Sequence, residues 1–184
     1  MTDATRPMRE AAMLNALNRF ANGVSWCASQ LASVAAAVLT LSMVYEVFAR
    51  YVFDAPTVWA FDISYMANGA VFLLGVAYVL REDAHIRIDV LRSRLPARVN
   101  GVIQGVAYLL LLAPFFGVLS WIALSHTWRA WMRHEVETVS PWAPLMWPFY
   151  LLIAIGLVAL TLQLISEGLR AFCGQGVDPE KEIR

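Results

Sequence analysis

The stretch TVSPWAPLMWPFYLLIAIGLVALTLQLIS, residues 138–166, is 29 residues long and contains no Asp, Glu, Lys or Arg. Three more runs share this property: Phe20–Tyr45 (26 residues), Ile63–Leu80 (18) and Val99–Trp128 (30). About 20 mostly apolar residues, wound as a helix, cross the ~30 Å hydrocarbon core of a bilayer. A helix of that length on a soluble protein carries a charged face toward water, and these runs have none. The chain therefore reads as an all-α integral membrane protein with four transmembrane helices. They lie at approximately residues 24–48, 59–80, 99–128 and 142–167, in a single membrane domain over residues 1–184.

Composition agrees and narrows the function. Hydrophobic residues make up 59% of the chain and charged residues 15%, against about 25% charged in a soluble domain. Four spans in 184 residues leave only short loops and tails, so a large catalytic or ligand-binding domain would have to belong to another chain. A formal charge of zero gives no footprint for nucleic acid. The first uncharged run far exceeds the 7–15-residue core of a signal peptide and is expected to be a retained helix. Cys27 and Cys173 are expected on one side of the membrane, unpaired, and two isolated thiols do not make a metal site.

Lys and Arg set the orientation. The N-terminal tail holds Arg6, Arg9 and Arg19, the segment between spans two and three holds Arg81, Arg87, Arg92, Arg94 and Arg98, and the C-terminal tail holds Arg170, Lys181 and Arg184. Arg50, Arg129 and Arg133 fall on the other side, an eleven-to-three split. Cytoplasmic loops are enriched in Lys and Arg, so both termini and the central segment are expected in the cytoplasm. Six of seven Trp residues, Trp59, Trp121, Trp128, Trp131, Trp142 and Trp147, gather toward the opposite side. They suit an aromatic belt or rings packed on a partner subunit.

Two short interfacial amphipathic helices are expected beside the spans. At residues 8–22, Met13, Leu17 and Phe20 recur at helical spacing among Arg and Asn. At residues 89–96, Asp89 can cap a turn whose Val90, Leu91 and Leu95 face lipid. Tyr51–Thr57 reads as a tight turn with Asp54 and Pro56. The third helix, extendable from Ala97 to Met132, is too long to stand upright. It must tilt, kink at Pro114 or project from the bilayer.

Charge within a span is costly and marks candidate sites. Glu46 and Arg50 lie four residues apart, on one helix face. Asp62 falls in the first turn of span two, where the helix dipole favours an acid. These three are expected to form a network that ties helices one and two together or holds a partner. Trp59 stands beside them. His85, His126 and His134 offer no pair at matched depth for a haem, and no phosphate loop, triad or Cys/His cluster is present. Neither a cofactor nor a metal nor an enzymatic site is expected.

The segment AYVLREDAHIRIDVL, Ala77 to Leu91, resembles the inner-loop signature of the small, DctQ-type membrane subunit of TRAP (tripartite ATP-independent periplasmic) transporters. That signature runs Leu-Arg-Glu, then small residues, then His-Ile/Val-Arg-Val/Ile-Asp, here Arg81, His85, Arg87 and Asp89. Phe48-Ala-Arg50-Tyr51-Val-Phe53 before Pro56 and Trp59, and the Ser140-Pro-Trp…Pro148 opening of span four, also resemble the family. Trp59-Ala-Phe61-Asp62 and Asp83-Ala84 depart from its commoner forms. Physically, Arg81 complements a helix C-terminus and Arg87 can reach phosphates. The string could thus be a helix end followed by an interfacial helix, or a surface that clamps lipid or docks a subunit.

The resemblance implies the following. A periplasmic substrate-binding protein captures an organic anion, often a carboxylate. A large membrane subunit moves it by an elevator-like motion driven by an ion gradient, usually sodium. The small subunit enlarges the immobile scaffold in the bacterial inner membrane and offers a docking surface to the binding protein. Such a chain needs no midplane charge or broken helix of its own. Glu46, Arg50, Trp59, Asp62, Arg81, His85, Arg87 and Asp89 are then candidate contacts with the partner subunits and membrane lipids. A small autonomous exporter and a membrane-anchor subunit of a redox complex are the rival readings.

Overall fold

A computed structural model describes residues 6–81 and 97–172. These form helix α1 (Arg6–Phe53), α2 (Ala60–Arg81), α3 (Ala97–Val106), a π-helical segment (Ala107–Leu112), α4 (Ala113–Arg133) and α5 (Trp147–Phe172). The chain is an all-α protein, with four helical stretches long and apolar enough to cross a membrane: Ala16–Phe53, Ala60–Leu80, Gly101–Arg133 and Trp147–Ala171.

Helix α1 differs from the expected arrangement. A surface helix at 8–22 feeding a separate span at 24–48 would need a bend, and residues 6–53 are instead one helix of 48 residues, about 72 Å long at 1.5 Å per residue. Pro7 sits in the first turn, where its missing N–H is harmless. Beyond it the stretch is rich in Ala and Leu and has no further proline, so nothing stops the backbone ladder. A continuous rod of this length cannot both lie flat on the bilayer and cross it. The helix stops at Asp54, whose φ of 48° is left-handed; Asp tolerates this conformation better than most residues. The Ala55 N–H then donates to the Ala49 carbonyl at 3.1 Å.

The third span runs from Ala97 to Arg133 through the π segment. Pro114 cannot donate to the preceding turn and its ring crowds that turn. The widened turn lies just before it, with the Ala113 N–H reaching back to the Tyr108 carbonyl. Of tilt, kink and projection, the structure shows an irregularity just before Pro114, in the form of a π segment, the way in which helices commonly absorb an extra residue. His134 (φ 48°) caps α4: its N–H meets the Trp131 carbonyl at 3.4 Å, and the Glu135 N–H meets the Ala130 carbonyl at 3.1 Å. This is the paired closure of a Schellman end.

The fourth span begins at Trp147, later than the expected residue 142. Residues 135–146 instead fold back on themselves. Val136 bridges Leu145 in antiparallel fashion, the Glu137 N–H donates to the Pro144 carbonyl at 2.9 Å, and the Met146 N–H donates to the Glu135 carbonyl at 2.9 Å. Ala143 turns the corner with φ 47°. Pro141 and Pro144 remove two donors from this stretch, and a left-handed residue cannot continue a helix, so α5 starts only after both.

Helix α5 is the axis of the bundle, packing against α1, α2, α3, the π segment and α4. Half of its apolar window is buried (50%), against 11% for α1 and 12% for the third span. Small residues make this possible, since without a hydrophobic drive in lipid, helices gain stability by close packing. Ala28, Ala32, Ala70, Leu74, Ala77, Ala159, Leu160 and Leu164 form the shared core. The tightest approach is at Gly156, where a Cβ would sit 2.8 Å from the carbonyl carbon and oxygen of Leu73. Opposite the π segment, a Cβ on Gly168 would meet Leu109 Cγ at 2.7 Å.

Gly156→Ala should force α2 and α5 apart and destabilise the purified protein by about 1–3 kcal/mol, the usual cost of overpacking. Gly75→Ala, where a Cβ meets nothing within 4 Å, should be neutral or stabilising by up to ~1 kcal/mol. Thermal unfolding in detergent measures both, and equal behaviour of the two variants would refute this account of the α2–α5 contact.

Candidate functional site

The α1–α2 turn and the 135–146 fold-back lie at the same end of the bundle, termed here the hairpin end. Glu46, buried on α1, is the hub of a polar cluster there. One carboxylate oxygen accepts from Arg50 Nε at 3.0 Å and also from Arg50 Nη2. The other accepts from the Thr57 backbone N–H at 2.9 Å and from the Thr57 hydroxyl. The helix supplies the i,i+4 pair, and the turn returns the chain so that Thr57 closes over it. The Arg50 side chain remains 55% exposed. The pair thus behaves more as a surface bridge on the Arg side and as a buried, hydrogen-bonded acid on the Glu side.

Asp62 does not join this cluster. It is buried in the first turn of α2, and its carboxylate accepts from the Ser140 hydroxyl, far away in sequence. Ser140 Oγ in turn accepts from the Trp142 N–H at 3.2 Å. The expected three-membered network is therefore two clusters. Glu46 ties the α1–α2 turn to α1, and Asp62 ties the fold-back to α2. One turn separates Glu46 from Arg50, whereas Asp62 starts a different helix whose rotation places it toward Ser140.

Trp59 precedes α2 and stacks on Tyr45 of α1, with ring centroids 5.5 Å apart and planes at 28°. Leu41, Ser42, Val44, Tyr45, Phe48 and Trp59 line an open groove of about 560 Å³ on this flank. Arg81 ends α2. His85, Arg87, Asp89 and the expected interfacial helix at 89–96 lie outside the described residues.

A third polar cluster, not anticipated, sits near the other end of the bundle. The Ser25 hydroxyl donates to Gln163 Oε1 at 3.1 Å, Gln163 Nε2 donates to Glu167 at 3.3 Å, and Arg170 Nη1 pairs with Glu167 at 3.2 Å. The Ser166 hydroxyl donates to Asn18. Gln163 is fully buried, and in hydrocarbon its amide needs partners. Nearer the middle, the Ser120 and Thr161 hydroxyls lie 3.1 Å apart and join α4 to α5. Ser25, Gln163 and Ser166 are uncharged polar residues within apolar runs, and the pairing of Ser25 with Gln163 and of Asn18 with Ser166, over 138 and 148 positions, becomes visible only when the helices are docked. His126 packs edge-on against Tyr150 at 4.8 Å. Among the described residues no group of three His, Cys, Asp or Glu side chains could hold a metal ion.

The fold and its polar clusters define a multi-pass helical membrane protein whose buried polar side chains tie its own helices together. The chain matches the family described as tripartite ATP-independent periplasmic transporters, DctQ component, over residues 39–174, and it belongs to that family. It is thus a small membrane component of a TRAP transporter, a transporter family and not an enzyme family, and an inner-membrane protein. Membership implies association, in general, with a large membrane subunit and a binding protein. No curated protein and no solved structure matches the chain.

Truncating the hub of the first cluster should cost more than truncating its spoke. Glu46→Ala leaves the Thr57 N–H and hydroxyl without an acceptor and should destabilise by about 2–3 kcal/mol. Arg50→Ala removes a half-exposed partner and should cost about 1 kcal/mol, with Glu46→Gln between the two. Unfolding midpoints of the three variants test the order, and Arg50→Ala proving the worst would overturn it.

Proposed function

We propose that this chain is the immobile scaffold subunit of a TRAP-type uptake system for organic acids, driven by an ion gradient, usually sodium. It supports the large transport subunit, and its hairpin end docks the periplasmic binding protein. Both termini and residues 81–98 lie in the cytoplasm in this reading. Family membership over residues 39–174 is the observation that carries it. The eleven-to-three distribution of Lys and Arg supports the orientation.

The geometry supports a static role. Glu46 with Arg50 and Thr57, Ser25 with Gln163, and Ser120 with Thr161 are engaged in bonds within this chain. A substrate site at the midplane would instead present polar groups and helix ends to a cavity. At the hairpin end, Glu46, Arg50, Trp59 and Asp62 shape a surface for partner subunits, with the half-exposed Arg50 offered outward. Arg81, which ends α2, and His85, Arg87 and Asp89 beyond it in sequence are assigned to contacts with lipid headgroups or the large subunit. Family membership does not favour the exporter or redox-anchor readings.

Single-cysteine labelling with a membrane-impermeant reagent, in a background without Cys27 and Cys173, tests the orientation. Position 54 should label from the periplasm and position 92 should not, and the reverse pattern would sink it. In liposomes this chain alone should take up no organic anion under a sodium gradient, with uptake appearing once the large subunit and binding protein are added. Saturable, gradient-driven uptake by the single chain would replace the scaffold with an autonomous carrier.

A further inference from the structure

Helix α2 carries two opposed faces. Ala67, Ala70, Leu74 and Ala77 are buried within the chain. The other face presents Phe61, Tyr65, Asn68, Phe72, Gly75 and Val79, at successive spacings of four, three, four, three and four residues; Tyr65 stands at its edge, with its ring also against Phe149 of α5 at 5.4 Å. That alternation is the 3.5-residue repeat of a left-handed helix–helix seam. Phe61 is 72% exposed and Phe72 69% exposed, and Asn68 and Val79 are exposed as well. A Cβ on Gly75 would meet nothing within 4 Å, so the face has a notch one turn below Phe72.

Asn68 raises this above an apolar surface. It lies two residues from the centre of the Ala60–Leu80 span, hence within about 3 Å of its middle along the axis. Its amide makes no hydrogen bond to any described residue. Acyl chains offer neither donor nor acceptor, so an amide facing them at this depth is costly. Gln163, the buried amide of α5, is by contrast provided for by Ser25 and Glu167. A helix with a hydroxyl, amide or carbonyl at the same depth would satisfy Asn68, and one polar residue in an otherwise apolar seam fixes its register.

A second copy of this chain is a poor occupant. Two copies in one membrane share an orientation, so a symmetric α2–α2 seam would set Phe72 against Phe72 and Gly75 against Gly75. It would also set Asn68 against Asn68, but the paired Phe72 rings hold the two backbones apart there and at Gly75, where close approach would be needed. A non-identical helix can place a large side chain in the Gly75 notch and a small one beside Phe72. Resting on the subunit reading above, we infer that this face of α2 is the seam for one transmembrane helix of the large subunit. Asn68 hydrogen-bonds across it and Gly75 receives a bulky side chain.

The test uses the full chain, tagged and co-produced with the large subunit of its own transporter, in two measurements. The first places benzoyl-phenylalanine at position 72 and identifies the photo-adduct by mass spectrometry after irradiation in membranes. The adduct should be with a transmembrane helix of the large subunit. The second compares recovery of the large subunit by Asn68→Leu and Gly75→Leu. Both side chains point away from the chain's own core, so helicity and monodisperse elution should be unchanged. Asn68→Leu should lower recovery about threefold, the scale of one interhelical hydrogen bond in a membrane, and Gly75→Leu should lower it further by blocking the notch. An adduct with a second copy, or with lipid alone, overturns the seam, as does wild-type recovery by both variants. If the wild-type chain still retains the large subunit in those cases, the subunit reading survives. If it retains none, both fall together.

Discussion

The approach of α2 to α5 at Gly156 governs the rest of the bundle. In water, two apolar helices would be driven together by burial. In lipid that term nearly vanishes, and association depends on how closely backbones can come and on which polar groups they bring with them. With no side chain on Gly156, the Leu73 backbone lies where a Cβ would stand. Around this contact the alanines and leucines of α1, α2 and α5 interlock. Once α5 is held against α2, its remaining faces are committed to α1 and to the third span. Gly168 repeats the device, making room for Leu109 where the π segment ahead of Pro114 bulges toward α5.

At the hairpin end, the helix ends are closed by backbone turns and caps instead of by helix packing. Asp54, His134 and Ala143 adopt left-handed conformations that stop or turn the chain, and the unpaired backbone groups find partners within a few residues. Side chains then fasten both described connections to a helix, Glu46 through Thr57 and Asp62 through Ser140. The polar groups inside the spans divide by face, Gln163 turned into its own bundle and Asn68 away from it.

Some of the candidate site was legible from spacing alone. Glu46 and Arg50 share a helix face because 3.6 residues make a turn, and that pairing needs no knowledge of the fold. The grouping of Asp62 with them did not survive, because its direction depends on the rotation of α2 about its axis and on where Ser140 arrives. Thr57 was visible as a turn residue but not as a ligand of Glu46, since the contact exists only after the chain reverses. Gln163, Ser25 and Ser166 carry no charge, so they left no trace in a search for charged positions, and Asn18 was legible only as part of a polar face, not as a partner of Ser166.

By itself, the sequence determined that the chain is a membrane protein with four helical crossings, that a turn at Asp54 and Pro56 follows the first, though α1 runs on to Phe53, and which family it resembles. Those properties follow from the length of uncharged runs, from residues with restricted backbones, and from a short string of polar residues, all of which are local. Only the tertiary structure decided that residues 6–53 form one continuous helix, that α5 is the axis, that Pro141 and Pro144 delay its start, and which polar groups meet. A bilayer accepts any apolar helix face toward its acyl chains, so hydrophobicity cannot mark the buried side as it does in water. Helix rotation and partner choice rest instead on sub-ångström fits such as that of Gly156 against Leu73, and these arise only when two distant segments are brought together.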